Sequence, residues 1–271
     1  MSLSQQTPMS AALDMVGVAS TTYQRLNEII DGRYSPHPFE EGVEPQHLRP
    51  LLQNYLAMSQ AFPYLQAGAQ KELIFDAIQN DRDVPVEVEV TSVVGNYLCW
   101  DETGGHFTLT RHGISGLPRI LETRKTFHAN HLRRDIERLV GTAKPSYSPV
   151  TREYLTDLYE GLAHSSSLER CATMVAFELH AQRMISGLWS SLAAAHPGVQ
   201  KDELSYFRIH VGGDDPAEPY HVALTCGMLE RLVPAHQQAE FLERFEARYA
   251  RNVAWCRDIR TLREEKVVGQ S

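Results

Sequence analysis

The chain is expected to be an all-α protein, a single-domain helical bundle of seven or more helices. Three observations carry that expectation. Apolar residues recur at spacings of three and four through most of the sequence, and short Pro, Gly, Ser and Asp punctuation separates the periodic stretches. The valine alternation of residues 84–90 reads equally as a strand, but no partner strand is evident elsewhere, so helix is preferred.

Taken in order, a first helix is expected over Ala11 to Ile30, closing at Asp31-Gly32. A second begins near Pro45 and runs through Leu51, Leu52 and Tyr55 toward Met58, and a third spans Ala61 to Asn80 with Phe62, Leu65, Leu73 and Ile78 as its buried stripe. Asp83 is a fitting N-cap, with Pro85 just inside a helix that passes Val90, Val94 and Leu98 and ends at Asp101-Glu102. Thr103-Gly104-Gly105 breaks it, a loop or short helix carries His106 and His112, and Pro118 opens the next segment. Thr126 to Val140 is expected to be helical with a basic exposed face, and Ser148-Pro149 opens a helix reaching Leu162. A long helix follows from Ser167 to Ala195, stopped by His196-Pro197-Gly198. Lys201 to His210 is a further helix interrupted at Gly212-Gly213, and Pro219 to Leu232 and Ala235 to Ile259 are the last two. The ends, about 1–9 and 261–271, are expected to fray, and 1–271 is read as one domain because a chain of this length buries a full core.

Composition removes several functional classes. With 26 Lys and Arg against 34 Asp and Glu, the formal charge is −8, and no basic run interleaved with aromatics offers a nucleic-acid footprint. The N-terminal residues lack a secretory signal pattern, and no apolar run approaches the ~18 residues of a membrane span. Cys99, Cys171, Cys226 and Cys256 lie far apart without CxxC spacing, which argues against a zinc knuckle or a disulfide framework and suits a cytoplasmic protein with reduced thiols. There is no Gly-rich phosphate loop, HExxH, GxSxG or EF-hand loop, and His37 sits in a Pro-rich segment that gives haem ligation little support.

The informative residues are carboxylates and histidines brought together at three places. The first is Trp100-Asp101-Glu102-Thr103-Gly104-Gly105-His106, followed by His112. The second is Ala176-Phe177-Glu178-Leu179-His180, where a carboxylate stands among apolar neighbours, a costly arrangement unless it is paired or metal-bound. The third runs from His210 through Gly212-Gly213-Asp214-Asp215 to Glu218 and His221. Carboxylate and imidazole donors without thiolate suit iron or manganese, and facing helices of a bundle can hold two such ions in its core. His210 and Asp214 stand at i and i+4, one turn apart on a continuing helix. The plainer readings are a helix-end pair for His210 and Asp214, and an N-cap for Asp214-Asp215-Pro216. His128, His131, His164, His180 and His196 are read as structural.

On these residues the sequence resembles the haem-oxygenase-like di-iron oxidases, which share the fold of the TenA thiaminases and include the Chlamydia protein associating with death domains. The resemblance runs from about Phe62-Pro63 to His221 and implies Glu102, His112, Glu178, His210, Asp214 and His221 as ligands. Two places stay open: His106 competes with His112, and Glu218, three residues before His221 as in the family pattern, competes with Asp214. The resemblance further implies two Fe(II) ions as cofactor, O2 as co-substrate, and C–H abstraction leading to desaturation, C–C cleavage, decarboxylation or N-oxygenation. Glu178 and His210 would be central to that chemistry, with a small amino acid or carboxylic acid as substrate. Arg111, Arg183 and Arg208 lie near the ligands in sequence and would suit an anionic head group. A C2 homodimer is one assembly open to such a bundle. The alternatives are a metal-free TenA-like enzyme and a non-catalytic helical interaction protein.

Overall fold

Helix is the only regular secondary structure among the described residues, 8–16, 20–212 and 217–263, of the computed structural model. The α-helices are α1 (Pro8–Val16), α2 (Ser20–Tyr34), α3 (Pro45–Gly68), α4 (Lys71–Gln79), α5 (Val86–Glu102), α6 (Gly105–His112), α7 (Thr123–Thr126), α8 (His128–Val140), α9 (Pro149–Leu162), α10 (Ser167–Ala195), α11 (Ser205–Val211), α12 (Glu218–Leu232) and α13 (Gln238–Arg260). Short 3-10 turns cover Pro38–Glu41, Ile114–Leu121, Lys201–Glu203 and Ala235–Gln237. No described helix is long and apolar enough to cross a membrane.

The long helix α10 organises the bundle. From Leu168 to Ala181 it is buried on every side, the mark of a helix at the centre of a protein, and it lies against α5, α9, α11, α12 and α13. Charged ties hold it there. Glu169 accepts from Arg244 and Arg248 of α13 at 2.6 Å each, and the fully buried Arg170 donates to the carbonyls of His164 and Ser165 and to Thr91 of α5. The helix α3 packs against α5, α8, α9 and α13 and closes the other side of the same apolar cluster.

Local signals place most of these elements. Ser148 accepts from the Thr151 amide and Pro149 occupies N1, which starts α9 where expected. In α5 the alternating valines are helical, because Val88, Thr91, Val94, Leu98 and Asp101 fall on one buried face at spacings of three and four. The expected first helix is two, α1 and α2, separated by residues outside the described set. The expected break between the second and third helices moves from near Gln60 to Ala69-Gln70: Pro63 sits inside α3 rather than starting a helix, so the Ser59 carbonyl lacks the amide it would otherwise accept from.

Candidate metal centre

Five helices deliver side chains to one buried place. Helix α5 ends on Asp101 and Glu102, which continue its buried face by three and four residues from Leu98. A tight turn stops it there. Gly104 has φ +82°, a left-handed conformation that favours glycine, and a Cβ on it would lie 2.4 Å from the Thr126 carbonyl oxygen. Gly105 is pressed against the Trp100 ring, where a Cβ would come within 2.2 Å. His128 is the first residue of α8 and heads the buried stripe continued by Leu132, Asp135 and Ile136. Asp135 in turn accepts from the Ser205 and Tyr206 amides at 3.0 and 2.8 Å, so α8 caps α11 and positions His210 one turn further on. Glu178 comes from the middle of α10, and Glu218 and His221 from the first turn of α12.

These residues form two groups of three. In one, Glu102, His128 and His210 converge: His210 Nε2 is 3.1 Å from Glu102 Oε1 and 3.2 Å from His128 Nδ1, which is 3.5 Å from Glu102 Oε2. In the other, Glu178, Glu218 and His221 place one donor atom each within 4.8 Å of one another, with His221 Nδ1 3.5 Å from Glu178 Oε2. All six side chains are buried. Glu102, Glu178, Glu218, His210 and His221 border one small cavity of about 20 Å³, together with Ser59, Phe62 and Tyr206. The two groups therefore face a common space.

Hydrogen bonds behind the groups select the ring nitrogens. His210 donates from Nδ1 to the Tyr206 carbonyl at 2.8 Å, which turns Nε2 toward Glu102. His221 Nε2 lies 2.6 Å from Asp101 Oδ2, which leaves Nδ1 directed at Glu178. A histidine anchored on one nitrogen by a carbonyl or carboxylate, with the other turned toward a further carboxylate, is oriented as metal-binding imidazoles are.

Burial and neighbouring charge pull on these groups in opposite directions. Burial pushes the Glu178 carboxyl up, with His221 opposing, and pushes Glu218 up to about 8. Burial acts the same way on Glu102, but His210 and His128 outweigh it and hold that carboxyl well below its usual range. Against its own burial, His210 is raised to about 9 by Glu102, and His221 is raised well above its ordinary value by Asp101 and Glu178. Four acids and three imidazoles are thus packed together out of contact with solvent. Glu178 Oε1 and Glu218 Oε2 have no hydrogen-bond partner at all. Buried, unsatisfied carboxylate oxygens beside prepared imidazoles are a donor set that divalent cations fit.

No family model, curated protein or solved structure matches this chain. The centre rests on its own geometry.

Of the residues singled out in the sequence, Glu102, Glu178, His210 and His221 come together, and Glu218 joins them. Asp214 lies outside the described residues. His112 does not join them: it ends α6, half-buried, where its Nε2 accepts from Arg119 at 3.3 Å. His106 stands one ring away, 5.9 Å from Tyr97, which itself meets His221 edge-on. The imidazole beside Glu102 is His128, not a residue that the sequence singles out as a ligand, and Asp101 is a further partner. Both lie on the apolar stripes of their helices.

A third buried group, His37, His180 and Cys256, has the donor types for a metal but the wrong protons. The Phe39 amide donates to His37 Nδ1 at 3.2 Å, so the neutral ring carries its proton on Nε2, which points at His180 Nε2 3.1 Å away. Burial raises the Cys256 thiol well above its usual value and lowers His180. The group is a hydrogen-bonded part of the core. Cys171 and Cys226 are likewise raised to about 12 by burial, unlike a thiolate nucleophile.

Proposed function

We propose that the protein is a non-haem di-iron oxidase or oxygenase of haem-oxygenase-like fold, acting on a small organic acid in the cytoplasm as part of specialised metabolism. One observation carries this reading: two groups of carboxylate and imidazole, Glu102/His128/His210 and Glu178/Glu218/His221, lie side by side in the core, five of the six bordering one small cavity, with two carboxylate oxygens left without partners. Their chain order, a helix-end Glu, a core-helix Glu and then His210 with Glu218-x-x-His221, supports the family resemblance.

When bound, a pair of ferrous ions supplies the activation of dioxygen for attack on a substrate C–H bond. The protein's part is arrangement. Each group would hold one ion with three side chains, fewer than such ions accept, so positions remain for exogenous ligands. Asp101 holds the His221 ring and the Tyr206 carbonyl holds that of His210, so neither imidazole must reorganise on binding. Phe62 and Phe177, stacked at 3.7 Å between centroids, together with Met58, Met184 and Ile185, wall the cavity with apolar surface that keeps bulk water out.

The metal-free TenA-like alternative would use a reactive cysteine, whereas burial raises all four thiols, Cys99 with Glu102 adding to the effect, away from thiolate. The deciding experiment is anaerobic loading with ferrous iron, a count of iron per chain, and rapid mixing with oxygenated buffer under visible spectroscopy. Near two irons per chain and a transient visible band, both lost in Glu178→Ala and His210→Ala, are expected. Absence of specific iron binding would remove the reading.

A further inference from the structure

The largest cavity near the centre lies on the outer side of His128. Its volume is about 920 Å³, and His128, Thr108 and Ile209 form part of its wall, so one imidazole of the Glu102/His128/His210 group borders this outer cavity. Among the described residues, the charged side chains around it are Arg111, Arg119, Lys125 and Arg208 against a single carboxylate, Glu122. That carboxylate is taken by Lys125. Arg119 donates to His112, and Arg111 lies over the Phe107 ring at 5.5 Å. No described carboxylate forms an ion pair with Arg111, Arg119 or Arg208. On a chain of formal charge −8 this is a concentration of positive potential at the approach to a buried centre. Elsewhere arginines are spent on acids: Arg244 and Arg248 share Glu169, and Arg183, near Glu178 in sequence, pairs with Asp31.

We propose that this outer cavity is the substrate seat and that Arg111, Arg119 and Arg208 recognise an oxyanion of charge −2, a dicarboxylate or a phosphate monoester, whose remaining atoms reach toward His128. One carboxylate is satisfied by one guanidinium in a bidentate pair. Three guanidinium groups around one cavity repel one another, and a dianion offsets that repulsion while occupying more than one fork. The anion site stands on its own residues. That its occupant is the substrate rests on the di-iron reading.

The test uses the metal-free full-length protein and isothermal titration at low ionic strength with succinate, glycerol 3-phosphate and, as a monoanion of similar size, butyrate. One dianion should bind one per chain at least ~tenfold more tightly than butyrate, and the tighter of the two names the chemistry. Arg111→Gln and Arg208→Gln should each weaken that binding several-fold. Both positions are exposed, so both variants should melt as the parent does and load iron as it does. Equal binding of dianions and butyrate, or unchanged binding in both variants, overturns the proposal. Iron loading reports separately: failed loading with dianion binding intact removes the di-iron reading and leaves the anion site, and the reverse result leaves the centre without this substrate class.

Discussion

His128 and His112 both follow Glu102 in sequence and both face the outer cavity, yet only His128 is within reach of the Glu102 carboxylate. His128→Ala should therefore lower iron content from about two toward about one per chain, as expected when a site of three ligands loses one, whereas His112→Ala should leave it unchanged. Metal analysis of the two purified variants checks this, and loss of iron from the His112 variant alone would reverse the assignment. Legibility differs among these residues for physical reasons. Glu178 is readable because an ionisable group amid Phe177, Leu179 and Val175 has no cheap alternative to a buried partner. His128 is not, because the chain from its partner Glu102 passes through short helices and tight turns whose path no periodicity fixes. Its one local signal is its place at the head of the stripe Leu132 and Ile136.

At the scale of elements, helix interiors were readable and their junctions less so. The start of α9 matches expectation because Ser148 caps it, and that of α10 because the buried run begins at once with Leu168, while α3 runs through Pro63 because its buried neighbours compensate for one lost backbone bond. The turn after α5 matters most for the centre. Gly104→Ala would force a side chain into the left-handed region and against the Thr126 carbonyl. It should cost about 1–3 kcal/mol and displace Glu102 as the turn opens. Denaturant titration together with iron content is the check: lower stability with full iron loading would show that the turn supports the fold without setting the carboxylate.

The whole molecule carries several imidazoles in neutral form. Burial lowers His37 to about 4, with Arg183 adding to the effect. Its ordinary value is near 6.5, so the unfolded chain takes up a proton before the folded one does. The folded-state preference is fully present above pH 6.5 and is lost as pH falls toward 4, by about 3 kcal/mol in the limit. His37→Gln should be less stable than the parent at neutral pH, and the gap between the two should close between pH 6.5 and 4. Unfolding midpoints measured across that range test the sign, and a constant gap would show that His37 titrates normally.

The centre's closest contacts join residues far apart along the chain: 82 positions between His128 and His210, 108 between Glu102 and His210, 120 between Asp101 and His221. Helices form from local bonds within about microseconds, whereas contacts at such separations wait for long loops to close. In refolding, helical circular dichroism should recover ahead of the capacity to take up iron. If the two recover together, the site forms with the helices. A nascent chain thus presents scattered acids and histidines until the stretch through His221 has been made, and the buried centre is among the last parts to assemble.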